Sequence, residues 1–227
     1  MSSPSRSRVV ALLPMKGNSE RIPGKNFKDF LGRPLFRWIL DTLLSVEEID
    51  EVVINTDARA KFAEIGLKDS DRVRIRDRRK EICGDLTSMN LVLADDVANV
   101  EAGTYLMTHS TNPLLSASTI REALVRYRSA REQGYDSLFT VNRFQSRFYR
   151  QDGSPVNHDP KNLLRTQDLP TLYEENSVLY AFSRESFQKI GARIGEKPVM
   201  FETPPFESVD IDDQRGWKLA ELLGSAQ

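Results

Sequence analysis

The chain has 227 residues, with 32 Lys+Arg against 33 Asp+Glu and a formal charge of -1. One domain with its own core accounts for that length, and near-neutral charge argues against a bulk nucleic-acid binder. No apolar run approaches the roughly 20 residues that span a bilayer, the amino end lacks the apolar core of a signal sequence, and the lone Cys83 excludes an internal disulfide, so the chain reads as a cytoplasmic enzyme with no membrane or nucleic-acid partner.

Taken in chain order, VVALLPM (9–15) is a continuous apolar run, the pattern of a strand buried on both faces. Residues 34–44 place Leu35, Trp38, Ile39 and Leu43 on one helical stripe behind Pro34. EVVINTD (51–57) is a second strand with a polar end, 58–65 a helix stopped by Gly66, and 73–76 a short edge strand. Residues 88–100 form a helix, 104–108 a third strand, 118–131 a helix capped by Ser118, and 137–141 a fourth strand. Strands separated by such helices predict βαβ crossovers, hence an α/β fold doubly wound around a mostly parallel sheet. Ligands in such sheets bind beyond the carboxyl ends of the strands. That rule marks the loop after Met15, the segment 55–57, and the segment 108–113.

After Val141 the rhythm changes. Asp152-Gly153 is a hairpin-turn signal, so a β-hairpin inserted over 143–165 is expected to protrude from a single domain spanning 1–227. A late strand (177–182), a short helix (184–190) and a final helix (214–223) complete the reading.

The segment 13–26, LPMKGNSERIPGKN, follows the first strand and combines Gly17 and Gly24 with Lys16, Arg21 and Lys25. Polyphosphate binding needs close backbone approach, exposed N–H groups and fixed cations, which this loop offers. Read alone, it is equally a solvated basic surface. It is neither G-x-x-x-x-G-K-[ST] nor G-x-G-x-x-G, which speaks against P-loop NTPases and NAD dehydrogenases. Asp210 and Asp212 stand at i, i+2, which in extended chain puts both carboxylates on one side. Such a pair serves a hard cation or simply a solvated turn or helix cap.

The segments PMKGNSERIPGKN (14–26) and FLGRPL (30–35) together resemble the opening signature of the acylneuraminate cytidylyltransferase (CMP-sialic acid synthetase) family, P-A-R-G-G-S-K-R-I-P-x-K-N followed by G-x-P-L. The likeness extends along nearly the whole chain. NTD (55–57) resembles S-T-D, and residues 78–88 resemble R-P-x-x-L-x-x-D-x-x-S. HSTNPL (109–114) stands in place of Q-P-T-S-P-L, RTQDLP (165–170) matches R-x-Q-x-L-P, NSVLY (176–180) resembles N-G-A-I-Y, and DID (210–212) matches D-I-D.

The resemblance implies a Rossmann-like nucleotidyltransferase fold and a reaction. CTP and a nonulosonic, sialic-acid-like 2-keto sugar acid would give the CMP-sugar and pyrophosphate. Lys16, Ser19, Arg21 and Lys25 would hold the triphosphate, and Asn26, Arg78 and Ser88 would surround base and ribose. Asp210 and Asp212 would hold Mg2+, with Lys16, Arg21, Lys25 and Asp212 acting in catalysis. Arg165 and Asn176 would face the sugar acid, and His109 would bond the substrate or serve a local structural role. The insert would pack across a homodimer.

Several positions depart from the signature: Lys16 for Arg, Glu20 for Lys, His109 for Gln, Leu115 for Arg and Ser177 for Gly. They gather more on the acceptor side, which keeps alternatives open: an acceptor such as a phosphonate or a Kdo-like sugar, GTP in place of CTP, or a catalytically silent nucleotide-binding protein.

Overall fold

Val9–Leu12 (β1) is buried at every position and is an interior strand of a seven-stranded sheet. The computed structural model describes residues 7–226; the extreme amino end, read above as lacking a signal sequence, lies largely outside them. A short antiparallel ribbon, Asp29–Phe30 (β2) with Arg33–Pro34 (β3), leads into Leu35–Ser45 (α1). Glu51–Thr56 (β4), Arg59–Glu64 (α2), Val73–Asp77 (β5), Met89–Asn99 (α3), Thr104–Thr108 (β6) and Ala117–Glu132 (α4) follow. The chain closes with Ser137–Phe144 (β7), Leu172–Phe182 (β8), Arg184–Ile190 (α5), Pro198–Glu202 (β9) and Gln214–Gly224 (α6).

The strand order is β5-β4-β1-β6-β8-β7-β9. Both faces are covered, as expected. Phe36, Ile39 and Leu43 of α1 and Ile120, Leu124 and Tyr127 of α4 pack on one side, and Leu93 and Val97 of α3 with Phe187 of α5 on the other. The sheet is mixed. β1, β4, β5 and β6 pair in parallel and β9 runs parallel to β7, but β8 enters antiparallel between β6 and β7. β9 was not foreseen. Neither was the cap of α4: Ser116 rather than Ser118 accepts the Thr119 N–H, because Ser116 is the last extended residue before the helix.

The insert also differs in kind. The antiparallel pair is β7 with β8, in register up to Phe144↔Leu172, and the segment between them is a long excursion with isolated bridges at Tyr149↔Pro155 and Asp159↔Asn162. The turn signal itself holds: Gly153 has φ 81°, and Arg150 N–H reaches Ser154 O at 2.8 Å. Buried Asn157 pins the excursion, accepting from Phe148 N–H at 3.0 Å and donating to Ser146 O at 2.8 Å.

Candidate active site

The cationic loop leaves the carboxyl end of β1 and turns back at once. Met15 N–H donates to Asn55 O at 2.9 Å, continuing the β1–β4 pairing past the strand, and Gly17 N–H donates to the Asp57 carboxylate at 2.6 Å. Gly17 has no room for a side chain, since a Cβ there would lie 2.5 Å from that of Ala58. Gly24 sits at φ 65°, a left-handed conformation that favours glycine, and starts the 3-10 turn Lys25–Phe27.

A small apolar cluster draws the two ends of the chain together. Ile22, Phe30 and Leu35 from the amino end pack with Ile211, Trp217 and Ala220, with Phe30 and Trp217 edge-to-face at 5.4 Å. Ile211 is fully buried, so alternation along the extended segment turns Asp210 and Asp212 outward. The loop and the acidic pair therefore meet. Arg21 Nη1 lies 2.7 Å from Asp212 Oδ2, and Lys25 Nζ donates to Ile211 O at 2.5 Å.

Lys16, Ser19, Arg21, Lys25, Asn26, Arg78, His109 and Asp212 line one cavity of about 330 Å³. Lys16 is ion-paired with Asp85 at 2.6 Å, which holds the Asp85 carboxyl below its ordinary range. Asn26 donates to Lys16 O at 2.9 Å and accepts from Ser110 Oγ at 2.8 Å. Burial lowers the pKa of Lys25, while the charges of Asp210 and Asp212 pull it back up. Arg78 is buried and fixed by Asn55, whose side-chain and backbone oxygens each accept at 2.9 Å. Asn55 is held in turn by donating to Asp96 Oδ1 at 2.8 Å.

His109 sits on the cavity wall; its enclosure, then the charges of Arg193 and Lys25, lower its pKa to about 4. A neutral imidazole can both donate and accept a hydrogen bond. Asp210 stands next to the cavity, where its surroundings raise its pKa and a hydrogen bond from Thr111 opposes the shift. Ser88 caps α3 by accepting from Asn90 N–H, and lines a neighbouring cavity instead.

Two further expected residues, Arg165 and Asn176, line neither cavity. Arg165 is exposed and ion-paired with Asp168 at 2.7 Å. Asn176 is buried and engaged within the sheet, donating to Thr203 Oγ1 at 2.7 Å and to Asn142 Oδ1 at 3.0 Å. The sequence reading assigned no role to Asp57, Asp85 and Asn55 individually. For Asp57 and Asn55 the signal was present, in their position at the carboxyl end of a buried strand.

Among the described residues no group of three or more His, Cys, Asp and Glu could hold a metal by itself, and no helix is long and apolar enough to cross a membrane. The aspartate pair supplies an all-oxygen partial ligand set beside a cation-lined cavity.

A family model described as cytidylyltransferase matches residues 10–211. The chain is 29% identical over 234 residues to N-acylneuraminate cytidylyltransferase of Oncorhynchus mykiss, covering 96% of this chain and 51% of that one. It is 25% identical over 226 residues to pseudaminic acid cytidylyltransferase of Campylobacter jejuni, covering 94% and 95%. It thus spans about half the length of the fish relatives and nearly all of the bacterial one. A solved CMP:2-keto-3-deoxy-manno-octonic acid synthetase complexed with CTP superposes with TM-score 0.67 at 16% identity, covering 97% of this chain and 99% of that chain, a likeness of fold. The matched span runs from β1 to the buried isoleucine between the two aspartates, so it takes in the cationic loop and Asp210, with Asp212 one residue beyond it: the chain belongs to the cytidylyltransferase family.

Proposed function

We propose that the chain transfers CMP from CTP to the anomeric hydroxyl of a nonulosonic 2-keto sugar acid and releases pyrophosphate. The observation that carries this reading is the convergence of Lys16, Ser19, Arg21, Lys25 and Asp212 on one cavity at the carboxyl end of β1. The relatives named for acylneuraminate and pseudaminate support the acceptor class.

Lys16, Arg21 and Lys25 neutralise the triphosphate, and the glycines let backbone N–H groups approach it. The sugar hydroxyl attacks the α-phosphorus; the bond to the β-phosphate oxygen breaks, and the cations stabilise the charge that moves onto pyrophosphate. Asn26 and Arg78, held by Ser110 and Asn55, would read base and ribose. The donor set of Asp210 and Asp212 fits Mg2+, a hard cation held by one or two carboxylates plus substrate phosphates. When bound, that ion supplies further neutralisation of the phosphate oxygens. A homodimer across the 143–165 region is part of this reading; exposed Leu163, Leu164 and Tyr149 there support it.

The test pairs ATP, CTP, GTP and UTP with N-acetylneuraminic, legionaminic, pseudaminic and Kdo acids and with a phosphonate acceptor, and measures pyrophosphate release. Release with CTP and a nonulosonic acid is expected. Release with GTP alone, or only with a phosphonate acceptor, replaces the reading with its alternatives; nucleotide binding without release makes the chain a silent binder.

A further inference from the structure

Arg78 lines the nucleotide cavity and is held there by neutral oxygens. Its Nε donates to Asn55 Oδ1 at 2.9 Å, and its Nη2 to Asn55 O at 2.9 Å and to Met15 O at 3.4 Å. Those bonds leave Nη1 for a ligand. Behind Arg78 runs a buried polar network that the proposed reaction does not use. Asn55, at the carboxyl end of β4, donates through Nδ2 to Asp96 Oδ1 of α3 at 2.8 Å, and both residues are fully buried. The same Oδ1 accepts from Arg76 Nη1 of β5. The other oxygen, Asp96 Oδ2, is buried and accepts no bond among the described residues. Arg76 Nη2 lies 3.0 Å from Asp95 Oδ2, and Arg79 Nε lies 3.0 Å from Asp95 Oδ1.

We propose that Asp96 is a positioning residue for the nucleotide: it fixes which end of the Asn55 amide faces Arg78, and so sets the direction of the guanidinium in the cavity. The inference rests on the reading of Arg78 as a nucleotide contact given above. An amide carries an acceptor on one arm and donors on the other. Turned over, Asn55 would set its NH2 against the N–H groups of Arg78, and buried donors without acceptors are costly. A carboxylate only accepts, so the bond to Asp96 admits one orientation of the amide, with Oδ1 towards Arg78. A tie between α3 and the sheet does not need this link, because Arg76 already joins β5 to both Asp95 and Asp96. Asn55 extends the network towards the cavity. It stands where the family signature has serine, and a serine has one polar atom where the amide has two diverging ones.

The test is calorimetric titration of the full chain with CTP and, separately, with pyrophosphate, each with Mg2+. Asp96→Ala is expected to raise the CTP Kd about three- to tenfold, the scale of one hydrogen bond. The pyrophosphate Kd, set by the cationic loop, should change less than about twofold. Asp96→Asn should recover most of the loss, because its amide oxygen can take the place of Oδ1 and accept both bonds. Arg78→Ala should raise the CTP Kd about ten- to hundredfold. Adding Asp96→Ala to it should change the Kd less than about twofold further, since residues that act through one contact are not additive. Should Asp96→Ala fold poorly, Asn55→Ala cuts the same link and should give the same loss confined to CTP. Equal losses for CTP and pyrophosphate, no recovery in Asp96→Asn, or additive losses in the double variant overturn the role of Asp96 alone. An unaltered chain that binds no CTP, or an Arg78→Ala chain that binds it normally, overturns the reading of the nucleotide site and this inference with it.

Discussion

The cationic loop after β1 and the excursion between β7 and β8 are both irregular chain, yet they are held in opposite ways. The loop is anchored by Ile22 and, through the apolar cluster, by Ile211 and Trp217, all nearly inaccessible. The excursion keeps only Leu169 buried among its large apolar side chains, and leaves Tyr149 55% and Leu163 66% exposed. Hydrophobic burial fixes a loop without using the polar groups it must present to a ligand. Hydrogen bonds from Asn157 and Gln145 fix the excursion locally and leave its apolar side chains facing outward. One region is fixed with its polar groups left free, as the proposed binding role requires; the other leaves apolar side chains outward, as the proposed dimer requires.

That contrast breaks most visibly at Asp212. Asp212→Ala should lower turnover about a hundredfold or more, the scale for a major electrostatic group. It should leave the melting temperature nearly unchanged, because the side chain is exposed at 63%. An equal loss of fold and activity would mean that the acidic pair is structural.

Next come the anchors. Ile211→Ala should cost about 2–5 kcal/mol in urea unfolding, since it empties a fully buried site. Gly216→Ala should destabilise as well despite the better helix former, because its Cβ would sit 2.7 Å from Asp210 O, a backbone atom. Both variants should weaken CTP binding; normal CTP affinity in either would separate the cluster from the site.

Asp96 tests the support behind Arg78. Burial raises its carboxyl pKa to about 6, against the hydrogen bond from Asn55 and the charge of Arg76. The folded chain then keeps a proton that the unfolded chain releases near pH 4. This group's contribution is therefore fully present below about pH 4 and is lost as pH rises through about 6, by on the order of 3 kcal/mol. Asp96→Asn should flatten that slope in chemical melts at pH 4.5 and 7, and an unaltered slope would point to other groups.

Smaller effects belong to β8 and the excursion before it. Ser177 holds φ 57° where the family signature has glycine, and its hydroxyl accepts from Tyr180 at 3.1 Å. Ser177→Gly should gain up to about 1 kcal/mol by relieving left-handed strain, offset by the lost bond and glycine's entropy. Leu163→Ser should change monomer stability by less than about 0.5 kcal/mol. If the excursion packs on a second copy, sedimentation should instead show a shift towards monomer.

Much of this was legible in the chain itself. The apolar runs of β1 and β4, the stripe of α1 and the turn at Gly153 follow from local pattern, because burial and backbone geometry act over a few residues. The cationic loop and the Asp-x-Asp pair were visible as residue types. Their meeting was expected only through the family resemblance and not from local pattern, because it depends on Ile22 and Ile211 sharing one pocket across almost the entire chain. Tertiary structure alone also decided that β8 runs antiparallel between β6 and β7, that Arg165 pairs with Asp168, and that Arg193 stacks on Tyr180. Local chemistry is written residue by residue; which distant residues become neighbours is settled only when the whole core is packed.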